Sequence, residues 1–125
     1  ATAKEMGVSD ITDPEQNIRA GSRYLKRMYS YWEEVPDSIQ RIKFAMASYN
    51  CGYSHVKDAQ NLAIKYGKDS LVWDGGVDYF VLNLSKPKYY NDPVVDFGYA
   101  RGYEPYEYVQ DIFERYKNYK TFADQ

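Results

Sequence analysis

The sequence is poor in the residues that build metal sites and catalytic triads. Cys51 and His55 are the only cysteine and the only histidine in 125 residues, so an internal disulfide is excluded and a Cys/His zinc site cannot be completed. No run of 18 apolar residues is present to span a bilayer. The net charge of -2 provides no basic field for a nucleic acid. We therefore expect no metal, no cofactor and no nucleic-acid partner.

Aliphatic side chains are also scarce. Valine, isoleucine, leucine and phenylalanine together make up a fifth of the chain, which is near the lower limit for a packed core. The 15 tyrosines compensate, because each can bury a large ring when its hydroxyl finds a partner. We expect one globular domain over residues 1–125, with tyrosine in its core and along its clefts.

Helix-capping residues predict an all-α protein of about five helices. Asp13 and Pro14 are typical of a helix start, and this helix should run to about Tyr31. A central helix should open at Pro36 and end at Gly52. Three more helices are predicted from Ser54 to Gly67, from Val77 to Leu84, and from Glu104 or Pro105 to Lys120. An irregular loop is expected at 86–103, where Val94 and Val95 are the only residues that suggest a strand.

Two short segments are candidates for chemistry. Asn50 lies just before Gly52, so its amide either hydrogen-bonds the last turn of the helix or points into a cleft to bind a ligand. Cys51 and His55 would form a nucleophilic pair if they met, but Gly52 breaks the helix between them. Cys51 is therefore interpreted as a small buried apolar residue.

Aromatic residues in the second half of the chain suit a carbohydrate groove, because tyrosine rings stack on sugars and their hydroxyls form hydrogen bonds. A glycosidase also needs a carboxylic acid at the scissile bond, and no acidic residue is identified in an apolar setting from the sequence. The alternative is that most of these rings serve packing. The aromatic series comprises Tyr89, Tyr90, Phe97, Tyr99, Tyr103, Tyr106 and Tyr108.

Four segments resemble the motifs of soluble-lytic-transglycosylase-type domains. Residues 44–52, F-A-M-A-S-Y-N-C-G, resemble the family signature F-A-x-A-A-Y-N-A-G. Residues 2–8, T-A-K-E-M-G-V, resemble the stretch that follows the family's G-L-M-Q motif, and residues 13–25 resemble D-P-x-x-N-I-x-A-G-x-x-Y-L. Residues 98–109 resemble the closing Y-A-R-G-x-E-x-x-x-Y-V, and with residues 55–59 they are closest to a membrane-bound branch of the family.

The resemblance implies a lysozyme-like helical fold and cleavage of peptidoglycan between N-acetylmuramic acid and N-acetylglucosamine. In this family one buried glutamate protonates the glycosidic oxygen, then helps deprotonate the muramic C6 hydroxyl, which closes a 1,6-anhydro ring. The family places this glutamate in an E-S pair before G-L-M-Q, and neither motif occurs here. We therefore expect the catalytic glutamate upstream of Ala1, no catalytic residue in this chain, and no activity from the chain alone.

The resemblance also implies which residues bind substrate. Tyr49 and Asn50 match the motif that lines the sugar groove, and Tyr108 matches a tyrosine whose hydroxyl lies near the catalytic carboxyl. Tyr99, from the aromatic series, is added as a fourth groove residue. Ser48 stands where alanine is usual, and so does Cys51; both changes are small enough to be tolerated.

The resemblance further implies peptidoglycan strands as the partner and a bacterial cell envelope location, in the periplasm and associated with the outer membrane. An apolar face beside Tyr49 is expected to be covered by a second copy or by an N-terminal segment. Two alternatives stay open: a lysozyme-like hydrolase, and a glycan-binding module without catalysis.

Overall fold

Six α-helices make up most of the chain. The computed structural model describes residues 14–123, with side chains from 21 to 115, and the statements below concern these residues. No strand is present between residues 14 and 123, so the all-α class is confirmed and the suggestion of a strand at Val94 and Val95 was wrong. The helices are α1 Pro14–Tyr31, α2 Ser38–Cys51, α3 Tyr53–Lys65, α4 Asp78–Leu82, α5 Pro87–Tyr90 and α6 Tyr103–Ala123.

The ends of α2 are set by two residues that the sequence marks clearly. Asp37 caps its start, because one carboxylate oxygen accepts the backbone N–H groups of Ile39 and Gln40 at 2.9 and 3.0 Å. Gly52 ends it with φ +100°, and its N–H donates to the carbonyl of Ser48 at 2.8 Å. The helix predicted to open at Pro36 therefore begins two residues later, and its predicted end is confirmed.

The first and last helices follow the prediction. The segment 86–103, predicted to be an irregular loop, contains a short helix. α1 begins at Pro14 and ends at Tyr31, as expected; the predicted cap Asp13 lies outside the described residues. Residues 86–103 contain the short helix α5, for which Pro87 at the first position fixes a helical φ. This short helix is the one that the sequence prediction of about five helices did not include.

The core is built from tryptophan, phenylalanine and aliphatic residues around α2. This helix packs against α1, α3 and α6, and so lies at the centre of the domain. Among the described tyrosines only Tyr89 is buried and the others are half-buried or exposed, so the expectation of a tyrosine-rich core was wrong. The largest fully buried side chains of the core are Trp32, Phe44, Leu62, Leu84, Val56, Val77, Val81 and Val109.

No helix between residues 14 and 123 combines the length and the apolar character needed to cross a bilayer.

Ser48 has a specific role in this core. Its hydroxyl accepts the indole N–H of Trp32 at 2.9 Å, and both side chains are fully buried. We expect Ser48→Ala to lower the free energy of unfolding by about 1–3 kcal/mol, because the indole donor would be left buried without a partner. Urea denaturation followed by circular dichroism measures this. Ser30→Ala, at an exposed serine of α1, is the control; equal losses from both variants would contradict the role given to Ser48.

Candidate functional site

Three tyrosine rings from three different helices meet near the C-terminal end of α2. The Tyr49 ring packs edge-to-face on Tyr24 of α1, with 5.5 Å between centroids. The Tyr49 ring also lies nearly parallel to that of Tyr108 of α6, with 6.5 Å between centroids and 11° between planes. All three side chains are half-buried. We call Tyr24, Tyr49 and Tyr108 the tyrosine cluster; it brings together two of the four predicted site residues.

Gly21 makes room for this cluster. A Cβ atom at Gly21 would lie 3.2 Å from the hydroxyl of Tyr49, which is tighter than ordinary van der Waals contact. A side chain, and not another backbone, fills the space that this glycine leaves. Tyr24 follows three residues later on the same helix face, and it is a member of the cluster that sequence reasoning did not select.

The phenol of Tyr108 is held in its neutral form. Partial burial raises its pKa above the ordinary tyrosine value, and the neighbouring Tyr49 raises it further. A neutral phenol keeps its proton and can both donate and accept a hydrogen bond. Tyr108 can therefore donate to an oxygen of a bound ligand throughout the neutral pH range.

Asn50 directly follows Tyr49 and is exposed. Its side chain forms no hydrogen bond with the described residues, and the end of α2 is completed instead by the backbone N–H of Gly52, which donates to the carbonyl of Ser48. This favours the second interpretation made from the sequence, in which the amide is available to a ligand rather than used to end the helix. An amide offers a donor and an acceptor at one position, which suits a sugar hydroxyl or an N-acetyl group.

Tyr99 makes its ring contact in a different part of the structure. It lies in the segment before α6, where it is exposed and packs edge-to-face on Tyr90, with centroids 5.7 Å apart. The ring contacts of the tyrosine cluster therefore do not include Tyr99.

The Cys51–His55 pair does not have the properties of a nucleophile. Burial raises the pKa of the Cys51 thiol to about 12, so the thiolate needed for attack does not form at neutral pH. Gly52 separates the two helices that carry them, as expected. Among the side chains described, from residue 21 to 115, no group of three or more His, Cys, Asp or Glu is placed to hold a metal ion.

Two buried carboxylates are committed to structure. Asp58 accepts the backbone N–H groups of Asp96 and Phe97, both at 2.9 Å, and so ties α3 to the loop before α6. Asp92 pairs with Lys65 at 2.6 Å, which lowers its pKa.

Two more carboxyl groups are also unsuited to act as a general acid. Burial raises the pKa of Asp78, but its carboxylate accepts the backbone N–H of Tyr79 at 2.7 Å. Glu104 is exposed on α6, one turn before Tyr108, and lies 3.7 Å from Arg101. Glu5, the other acidic residue that falls near a family motif, lies outside the described residues.

The chain is similar to proteins of one family along most of its length. The family model for the transglycosylase SLT domain matches residues 1–72. The chain is 44% identical over 117 residues to membrane-bound lytic murein transglycosylase F of Maricaulis maris, covering 91% of this chain and 24% of that protein. The protein of the same name from Vibrio cholerae is 44% identical over 120 residues, covering 94% of this chain and 22% of that protein.

A third relative agrees with these two. The protein of that name from Desulfosudis oleivorans is 43% identical over 115 residues, covering 92% of this chain and 25% of that protein. All three belong to the membrane-bound branch that the closing motif and residues 55–59 indicate. The chain spans about a quarter of the length of these relatives.

Proposed function

Because the chain belongs to the transglycosylase SLT domain family, we propose that it is the C-terminal part of a catalytic domain that cleaves peptidoglycan by lytic transglycosylation. The observation that carries the proposal is the meeting of Tyr49 with Tyr108, two residues matched independently to separate family motifs, at one half-buried surface. Their rings offer flat faces for a sugar, and the exposed amide of Asn50 adds a polar group beside them.

In the proposed reaction a glutamate from outside these 125 residues transfers the protons, and this chain supplies the groups that position the sugar. That carboxyl protonates the bridging glycosidic oxygen, so the bond from this oxygen to C1 of N-acetylmuramic acid breaks. The resulting carboxylate then takes the proton of the C6 hydroxyl, whose oxygen bonds to C1, and no water is consumed. Tyr108 contributes a neutral phenol that donates a hydrogen bond, and Asn50 orients the sugar; both act by positioning.

A hybrid protein tests this division. The 125 residues replace the matching segment of the Vibrio cholerae relative. Purified sacculi are incubated with the hybrid, with the isolated chain, or with a hybrid in which the glutamate that the family motif places in an E-S pair is changed to glutamine. We expect soluble muropeptides from the first protein only. A folded hybrid that releases none would contradict the proposal and favour the glycan-binding module. Products from the isolated chain would show that the general acid lies within these 125 residues, with Glu5 and Glu104 as the candidates.

Tyr108→Phe tests the role of the phenol in the hybrid. We expect muropeptide release to fall about tenfold, because one hydrogen bond worth about 1–1.5 kcal/mol is lost while the ring stays in place. Tyr29→Phe is the matched control: Tyr29 is also half-buried, and its ring is used to pack against the Arg41 guanidinium at 3.9 Å. The rates of muropeptide release by the two variants are compared on the same sacculi. Equal losses would mean that Tyr108 serves packing alone.

A lysozyme-like hydrolase is the nearest alternative, because the same fold and groove can direct water to C1. Its products would carry a reducing end in place of the anhydro ring. The relatives' names include lytic transglycosylase, which favours the anhydro product for this chain.

The proposed location and partners follow from the same family. The relatives are named as membrane-bound and as acting on murein. We accordingly place the chain in the bacterial cell envelope, in the periplasm and at the outer membrane, with peptidoglycan strands as its partner.

The expected covering of an apolar face stays a prediction. An apolar groove of about 280 Å³ lies between α2 and α6, lined by Ile39, Ile42, Met46, Ile112 and Phe113. Sedimentation of the isolated chain would show whether a second copy covers it.

A further inference from the structure

A second cavity lies on another part of the domain. It has a volume of about 590 Å³, and its walls come from the end of α3, the loop before α4, and helices α4, α5 and α6. None of its lining residues belongs to the tyrosine cluster or is Asn50. Its size falls in the range of about 300–1,000 Å³ that small-molecule sites occupy, so it can hold one or two sugar rings.

One wall of the cavity is a set of aromatic rings that fix each other in place. Tyr66 stacks on Phe80 with 5.5 Å between centroids, and it lies 5.8 Å from Tyr89. Tyr79 meets Phe80 and Tyr89 edge-to-face at 5.2 and 6.2 Å. Tyr66 and Tyr79 nevertheless remain 40% and 51% exposed, so their outer faces are open to a ligand. Because packing sets the ring positions beforehand, binding costs little side-chain entropy.

Two lysines add positive charge to the same cavity. Lys88 is held over the wall, with its ammonium 5.4 Å from the Tyr89 centroid and 5.9 Å from that of Tyr66. Lys68, in the segment between α3 and α4, also lines the cavity. Within the described part of the chain neither ammonium is paired with a carboxylate, so both are available to an anion.

One acidic residue stands against the two lysines, so the charged lining residues leave a net positive charge. Asp78 is the one acidic lining residue, and its carboxylate accepts the backbone N–H of Tyr79 at 2.7 Å. The Tyr89 phenol stays neutral, because its hydrogen bond with the Tyr79 hydroxyl and its burial raise its pKa to about 12. The open surface therefore combines apolar ring faces with two cations and one carboxylate.

We propose that this cavity binds a sugar that carries a carboxylate, with the sugar ring against Tyr66 and Tyr79 and the carboxylate against Lys88. The C–H face of a sugar stacks on an aromatic ring. A carboxylate forms a charge-assisted hydrogen bond with an ammonium that has no other carboxylate partner. A neutral sugar would use the rings but leave the lysines unpaired. The cavity thus selects acidic over neutral sugars, independently of any bond cleavage at the tyrosine cluster.

Two pairs of sugars, each with an acidic and a neutral member, test this selectivity: N-acetylmuramic acid carries a 3-O-lactyl group that N-acetylglucosamine lacks, and glucuronic acid has a carboxylate at C6 where glucose has a hydroxymethyl group. The isolated chain, labelled with ¹⁵N, is titrated with N-acetylmuramic acid and N-acetylglucosamine, and then with glucuronic acid and glucose, while amide shifts are recorded. We expect an acidic sugar to shift the amides of Gly75, Gly76 and Tyr79, with an affinity about fivefold to tenfold above that of its neutral counterpart. Preference for either acidic sugar at these amides supports the proposal.

Lys88→Gln and Lys86→Gln form the matched pair of variants. Lys86 is exposed and lies two residues away outside the cavity, so its removal changes the net charge equally. We expect Lys88→Gln to abolish the preference for the acidic sugar and Lys86→Gln to preserve it. Equal affinities for acidic and neutral sugars, no shifts at all, shifts confined to Tyr49 and Tyr108, or equal effects of the two variants would each overturn the proposal. The experiment on the hybrid protein measures bond cleavage, whereas this titration measures binding. The proposed transglycosylase function and the proposed acidic-sugar site can therefore fail separately.

Discussion

Asn50→Ala is expected to lower the rate of muropeptide release by the hybrid about a hundredfold or more while the fold stays intact. A polar group fixed in advance against the reacting sugar contributes about 2–4 kcal/mol of transition-state stabilisation. The amide of Asn50 is exposed, follows Tyr49 directly, and is not used to end α2. Its removal should therefore cost catalysis and leave the helix end unchanged.

The measurement is a rate on purified sacculi, with circular dichroism to confirm the helical content. Asn61→Ala is the control, because Asn61 is a half-buried asparagine of α3 that lies in neither site. Wild-type rates for Asn50→Ala, or an equal loss for Asn61→Ala, would show that the amide has no special role in binding the substrate.

Gly102→Ala is expected to destabilise the isolated chain by about 3 kcal/mol or more. A Cβ atom at this position would overlap the carbonyl oxygen of Val81 and approach that of Leu82, both of which are backbone atoms of α4. Backbone cannot rotate away as the tip of a side chain can, so the start of α6 would have to separate from α4. Val81 and Val109, which pack in the core near this junction, would lose contacts with it.

Urea denaturation of the purified variant gives the change directly, as a shift of the midpoint. Arg101→Ala is the neighbouring control: this side chain is exposed and its pairing with Glu104 is loose at 3.7 Å, so its loss should change stability by less than about 0.5 kcal/mol. An unchanged midpoint for Gly102→Ala would mean that α4 and α6 are not in close contact at this point.

The helices could be predicted from the sequence because their ends depend on single residues. Pro14 can only begin a helix, and Gly52 adopts a positive φ that other residues avoid. Ser48 shows the limit of such local reasoning. Its small size suggested that it is merely tolerated, yet it binds Trp32, a contact across 16 residues that no local pattern reveals.

The candidate site could be predicted only in part, and for a similar reason. Tyr49 and Tyr108 were identified by their resemblance to family motifs, whereas helical periodicity does not indicate that their rings would meet. The aromatic wall of the second cavity joins Tyr66, Tyr79 and Tyr89 from three separate segments. Tertiary packing decides which of 15 tyrosines end up together, and composition alone cannot.

The central claim is that this chain completes a lytic transglycosylase, and the mass of the products tests it most directly. Muropeptides released from sacculi by the hybrid are separated and weighed by mass spectrometry. The account predicts N-acetylmuramic acid ends one water lighter than a reducing end, because the C6 hydroxyl and not water attacks C1. Products with reducing ends and no anhydro form would contradict it, and would make the domain a hydrolase.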